Sequence, residues 1–336
     1  MFWVLTLGFG VQLQRTLASL KSSYEKSATT KISDGSWYER STPELVAFLR
    51  ACVMHGIEQL APEQNKHLSE KLYQVEDVLI QDSSIVRLHS SLSEKWPAAT
   101  TRTIAAGVKV GLLVSAVADG PKNIALYAES TNELKTLRMG PWIKNRILLI
   151  DLGFYKHQLF ARIQDNGGYF VSRLKKNADP LIVDVNSVHR GRSIDVNGKY
   201  ISEVLPHLKR QVLDADVEVA FKRRSYNGKQ KNDTEKFRLI AIMNKGTEEY
   251  HTYITNIPSD ILDAEDIAKL YGAREDIELV FKELKSRYAM DVVNTTNPNI
   301  VEAYIWIALL TLLLSRRIYT IVRSHNEKEM TFLAGA

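Results

Sequence analysis

Four polar residues towards the C-terminal end, Tyr271, Arg274, Glu278 and Lys285, have types and spacing suited to phosphate chemistry. On one helix, at 100° per residue, they fall within an arc of about 60°. Leu270, Ala273, Ile277, Val280, Phe281 and Leu284 form a neighbouring apolar stripe, so the four sit on its border. A carboxylate there is half shielded from water while the cations beside it face outward. That suits holding a metal ion against a phosphate better than it suits charge for solubility alone. Glu275 and Glu283 are rival acids, but Glu275 projects about 60° from Glu278 and Glu283 lies further round. Taken singly, Glu278 is also an ordinary i, i+4 partner of Arg274, and Lys285 an exposed cation.

The pattern Tyr271-x2-Arg274-x3-Glu278-x6-Lys285 resembles, without gap or shift, the signature of DDE transposases of insertion-sequence family four. In that family the Glu is the third acid of a metal-binding Asp, Asp, Glu set, and the Tyr, Arg and Lys grip the transposon end. The resemblance implies the same roles here and indicates where the other acids lie. Asp151 ends the apolar run 147–150 and precedes Leu152, Gly153 and Phe154, similar to the family's Asp-x-Gly-Phe or Asp-x-Gly-Tyr. The stretch 170–175 is also similar. Asp82, followed by Ser83 and Ser84, resembles the family's first acid in Asp-Ser-Thr or Asp-Gly-Thr. The long interval between Asp151 and Glu278 accommodates a β insertion. Taken singly, Asp82 also reads as a strand-end turn residue and Asp151 as a helix cap.

Phosphodiester cleavage needs a nucleophile activated near neutral pH and charge relief on the leaving oxygen, which two divalent ions supply. Mg²⁺ prefers oxygen ligands and keeps several waters, so two or three carboxylates plus substrate phosphate suffice. The resemblance implies two Mg²⁺ ions, with Mn²⁺ as a substitute, Asp82 bridging both and Asp151 and Glu278 completing one each. Arg274 then pairs with a phosphate, Lys285 acts as a point charge near it, and Tyr271 donates to or packs on the DNA backbone. The implied activity is nicking at the transposon end by water, followed by strand transfer from the freed 3′-hydroxyl. The implied partners are transposon-end and target DNA and a second copy of the chain, in a cytoplasmic, nucleoid-associated setting without a membrane. Two other readings are a catalytically silent DNA-binding remnant and a ribonuclease-H-like nuclease that does not transpose. Departures from the family are Glu275, where many relatives carry Trp, and an opening inside an apparent helix. Residues 331–336 match nothing in the pattern. These fit a truncated copy.

The elements that must position these residues are legible in outline. With 336 residues, 45% hydrophobic and 25% charged, the chain can bury a sizeable core. A net charge of +5 fits a nucleic-acid partner but is a modest signal. Cys52 is the sole cysteine, which excludes internal disulfides, and the eight scattered histidines lack zinc-ligand spacing. No phosphate loop is present, and Gly8 and Gly10 alone do not make a dinucleotide fingerprint. The apolar start lacks the basic leader and cleavage site of a signal peptide. The run 304–314 is the most apolar stretch, too short to span a bilayer and better read as a buried helix within 302–317.

Residues 1–73 read as a helical region. Apolar spacing marks one helix through Leu13, Leu17, Leu20 and Tyr24, and a second opens at Ser41–Glu44 after a loop at Ser33–Ser36. Short runs rich in Val, Ile, Leu and aromatics follow at 75–80, 108–117, 124–128, 147–150 and 169–174, with helices near 132–135 and 155–164. This order matches an α/β fold with a ribonuclease-H-like mixed sheet and flanking helices, its first part spanning 74–179. An antiparallel insertion at 180–258 is marked by strand-like 217–221, 237–242 and 250–254 with turns at Asn227–Gly228 and Lys245–Gly246. The last helices of the core, 259–320, begin near Asp263 with one that carries the four-residue pattern, and a tail covers 321–336. The insertion also holds a basic cluster, Lys222, Arg223, Arg224, Lys229, Lys231, Lys236 and Arg238, which suits DNA phosphates or a solvated hairpin face.

Overall fold

The computed structural model describes residues 2–8, 16–60, 70–100, 105–116, 120–186, 194–223, 231–244, 246–288, 290, 293 and 295–334. Nine strands form one sheet: β1 (Asp77–Leu88), β2 (Ala106–Ser115), β3 (Gly120–Ala128), β4 (Arg146–Ile150), β5 (Tyr169–Arg173), β6 (Leu181–Val185), β7 (Val212–Lys222), β8 (Asn232–Met243) and β9 (Tyr250–Thr255). Their spatial order is β3-β2-β1-β4-β5-β9-β8-β7-β6. β1 is antiparallel to β2 and parallel to β4, and β4 is parallel to β5. Three antiparallel strands followed by two parallel ones, with helices on both faces, make the mixed α/β sheet expected of a ribonuclease-H-like core.

Among the described residues, the α-helices α1 (Leu17–Ala28), α2 (Asp34–Tyr38) and α3 (Pro43–Leu60) precede the sheet. The segment 33–36, expected as a loop, opens α2 because the Ser33 hydroxyl accepts the Ser36 N–H at the helix start. α3 begins at Pro43, and its capping hydroxyl is that of Thr42, which accepts from the Leu45 N–H at 3.3 Å. After β3 come α4 (Glu133–Thr136), α5 (His157–Asp165) and α6 (Ile201–Val204), then α7 (Ala264–Gly272), α8 (Glu275–Ser286) and α9 (Pro298–Ala334).

Alternation along the strands divides the core in two. Val78, Ile80, Val110, Leu112 and Leu149 face α3, α7, α8 and α9, whereas Leu79, Leu113, Leu148 and Ile150 face α5. α9 runs well beyond the expected 302–317. Its part Pro298–Tyr319 has the length and apolarity to cross a membrane, so the argument from shortness does not hold for the whole helix. Packing decides instead: Val301, Ile305, Ala308, Leu309 and Leu312 are fully buried among α3 and the sheet. Gly56 of α3 makes the approach of the two helices close, since a Cβ there would meet Leu313 Cδ1 at 3.3 Å.

The strands of the insertion extend the core sheet rather than forming a separate layer, because β9 pairs antiparallel with β5. A buried ion pair locks them to the segment leading into α7. Arg238 on β8 donates through Nε to Asp214 Oδ1 at 2.9 Å and through Nη2 to Oδ2 at 2.5 Å. Its Nη1 reaches the carbonyls of Ile257 and Leu262 at 3.1 and 2.7 Å. Arg238 is therefore a structural clamp and not part of an exposed basic face. Arg238→Met removes one partner of a buried pair and should cost about 3 kcal/mol of stability. Urea unfolding of the variant checks this.

Candidate active site

The first two acids meet through strand register. β1 and β4 pair in parallel with Gln81 opposite Ile150, so the next residues, Asp82 and Asp151, stand level. Asp82 follows Gln81 and so points to the other side of the sheet, the side covered by α7 and α8. Asp82 lies inside β1, which runs through to Leu88, so the strand-end turn reading fails. Asp151 ends β4 and caps the short turn 152–154, its Oδ2 accepting the Gly153 N–H at 3.3 Å. Structural and chemical readings thus coexist at Asp151.

The four-residue pattern is carried by two helices rather than one. α7 ends at Gly272 and α8 starts at Glu275, and the junction is tightened by the Arg274 N–H donating to the Tyr271 carbonyl at 3.0 Å. Tyr271 is turned inward. It is buried beside Tyr253, with ring centroids 5.5 Å apart and its hydroxyl 3.4 Å from the Ile150 carbonyl. The ring thus packs against Tyr253 and the end of β4 in the absence of DNA. Burial also raises the Tyr271 pKa.

Arg274 stands at the centre of the site. Its Nη2 is 2.6 Å from Glu278 Oε1, and its Nη1 lies 3.5 Å from Asp151 Oδ1 and 3.9 Å from Asp82 Oδ2. One guanidinium thus bridges all three acids, each from a different element. The carboxylates converge around that cation and not directly on one another: among the described residues no three Asp, Glu, His or Cys side chains form a ready-made metal cage. The donors are all carboxylate oxygens, the chemistry that suits Mg²⁺ or Mn²⁺ and not zinc.

Asp82 is largely shielded from solvent, its side chain 23% exposed. Burial pushes its pKa up to about 6, with Asp151 and Glu278 adding to the rise, while the Ser83 N–H and Arg274 oppose it. The rival acids are placed differently. Glu283 faces Arg287 and Arg316 at 3.5 and 3.6 Å, and Glu275 is exposed at the start of α8. Lys285 lines an open cleft together with Asp82, Ser83, Glu278 and Lys282.

Two neighbours escaped the sequence reading. Ile150 pairs with Ser172, which sets Arg173 level with Asp151 on the same side of the sheet, exposed. The signal was its place one residue past the paired part of β4 and β5. Glu133, the first residue of α4, lays its carboxylate against Gly153, where any Cβ would collide with it. Only the fold brings that residue to the rim. Of the basic cluster, Lys222 is exposed, whereas Arg223 pairs with Asp165, Asp233 and Glu235 and is committed before any phosphate arrives. Arg224 and Lys229 lie outside the described residues.

A family model described as transposase DDE domain matches residues 73–314. The chain belongs to this transposase DDE domain family. Its match covers all nine strands and the three acids. The chain is 24% identical over 325 residues to the transposase for insertion sequence element IS231F of Bacillus thuringiensis subsp. israelensis, covering 85% of this chain and 65% of that protein. It is 24% identical over 292 residues to the transposase for insertion sequence element IS1151 of Clostridium perfringens, covering 76% of this chain and 60% of that protein. It thus spans less than two thirds of the length of these relatives.

The raised pKa of Asp82 has a stability consequence. A carboxyl whose folded pKa lies above its unfolded value opposes folding at neutral pH, and this penalty disappears as pH falls through about 6 towards 3.8. Asp82→Asn should therefore stabilise the metal-free fold by about 2–3 kcal/mol at pH 7.5. The gain should shrink towards zero near pH 4, as read by denaturant unfolding at the two pH values.

Proposed function

We propose that this chain is the catalytic core of an insertion-sequence transposase that hydrolyses a phosphodiester at the element's ends and then joins the freed 3′-hydroxyl to target DNA. The observation that carries this reading is the convergence of Asp82, Asp151 and Glu278 on one point, now spanned by Arg274. Three carboxylates held together where β4 ends beside β1 and α8, on an open cleft with lysines on its wall, suit a polyanionic substrate better than a small neutral one.

Asp82, Asp151 and Glu278 would hold the divalent ions, Mg²⁺ with Mn²⁺ as a substitute. Bound there, such ions generate a nucleophile near neutral pH and relieve charge on the leaving oxygen. Asp82, level with Asp151 and within reach of the same guanidinium as Glu278, would share the ions with both of them. Arg274 gives up its acids and turns to the phosphate as a planar fork, while Lys285 and Arg173 supply further positive charge on the cleft side. Tyr271 fixes the α7–α8 junction against β4, which sets where Arg274 points. Lys222 lies on the insertion as a further phosphate contact. The reaction places the protein with the nucleoid in the cytoplasm, and cutting two ends calls for a second copy in the DNA complex.

Asp82→Asn, Asp151→Asn and Glu278→Gln should each lower Mg²⁺-supported cleavage of end-bearing DNA about a thousandfold or more. Circular dichroism should show each variant folded. Cleavage near the unmodified rate in any of them removes that acid from the assignment, and cleavage without joining assigns a nuclease. For binding, Lys285→Gln should weaken DNA affinity and reduce the salt slope by about one, whereas Arg223→Gln should leave the slope nearly unchanged. Titrations across a range of salt concentrations separate the two.

A further inference from the structure

The side of the sheet away from Asp82 carries a cavity that the proposed reaction does not use. It measures about 470 Å³, a size suited to one small ligand. Tyr127 and Trp142 contribute aromatic surface, Lys122, Arg138 and Arg146 contribute positive charge, and no acid is among the described residues lining it. Lys122 and Arg146 are each held by a carboxylate outside the cavity, those of Asp77 and Glu76. Arg138 is exposed and makes no ion pair among the described residues. Both rings are steadied: Trp142 Nε1 donates to the Arg138 carbonyl at 3.0 Å, and the Tyr127 hydroxyl to the Thr136 carbonyl at 3.3 Å.

Gln81 points to a ligand. It lies on the central strand β1, is only 4% exposed, and lines the cavity. Its Nε2 makes one long hydrogen bond, 3.4 Å, to the Asp82 carbonyl, and its Oε1 accepts none among the described residues. A buried amide with so much unused capacity is costly unless something in the cavity meets it.

We propose that this cavity binds a single unpaired nucleotide. The base lies against Trp142 and Tyr127, its polar edge meets the Gln81 amide, and its phosphate pairs with Arg138. Aromatic walls around a buried amide fit a flat heterocycle with donors and acceptors on its edge. An acidic peptide would satisfy the rim cations but make poor use of both features. The nucleotide comes either from a single-stranded DNA end or from free nucleoside monophosphate. This site stands apart from the cleavage centre, so a chain that binds as described but does not cut leaves it intact.

The test is fluorescence anisotropy of the full chain with a dye-labelled duplex bearing a short single-stranded overhang, compared with the same duplex blunt. Arg138→Glu and Trp142→Leu should each weaken overhang binding at least about tenfold and leave blunt-duplex binding unchanged. Competition by free deoxynucleoside monophosphate assigns the free source, and its failure assigns the strand end. Equal binding of overhang and blunt duplex by the unmodified chain, together with no binding of free deoxynucleoside monophosphate, overturns the proposal. So does undiminished overhang binding in Arg138→Glu, a surface change that keeps the test valid if Trp142→Leu does not fold. Displacement by an acidic peptide at concentrations where the nucleotide does nothing also overturns it.

Discussion

Asp82 and Asp151 come together because β1 and β4 pair in parallel. In parallel strands, residues in register project to the same side, so Gln81 opposite Ile150 forces Asp82 and Asp151 into adjacent positions facing one way. A slip of one residue would send Asp82 to the opposite face, into the surroundings of Gln81, and dissolve the pair. The register is itself held by packing, since Val78, Ile80, Ile147 and Leu149 fill one core and Leu79 and Leu148 the other.

Two carboxylates brought together where β4 ends against the middle of β1 repel, and a third from α8 adds to the repulsion. Arg274 answers it. Placed at the kink between α7 and α8, its guanidinium reaches Glu278 on its own side and both aspartates across the gap. The compensation is partial, because burial still leaves the Asp82 carboxyl well above the ordinary carboxylate range. Holding Asp82 shielded beside two further carboxylates therefore costs the fold stability at neutral pH.

The insertion contributes by geometry more than by charge. Its strands prolong the sheet from β5, and Arg238 ties β8 to Asp214 and to the carbonyls of the segment that enters α7. α7 and α8 are therefore aimed by the insertion and carry Arg274 and Glu278 to the acids. The basic residues expected to form a DNA-facing surface are divided by the fold, Arg238 into the interior, Arg223 into ion pairs, and Lys222 to the open surface.

The strands β1 to β5, the antiparallel hairpins and the apolar character of α9 were legible because alternation and apolar runs are local properties of the chain. Asp82, Asp151 and Glu278 were singled out through the family resemblance and not through their own chemistry, since a lone Asp on or just past a strand has several ordinary uses. β6 went unread because its short run lacks a clear alternating pattern, and the split between α7 and α8 because both halves keep nearly helical backbone angles. By itself the sequence determined which residue types were available, the order of elements and the fold class. Only the tertiary structure decided that Tyr271 turns inward, that Arg274 bridges all three carboxylates, and that Arg173 and Glu133 join them at the rim. Those outcomes depend on strand register and on the rotation of one helix against another, which are set by contacts between residues far apart in the chain.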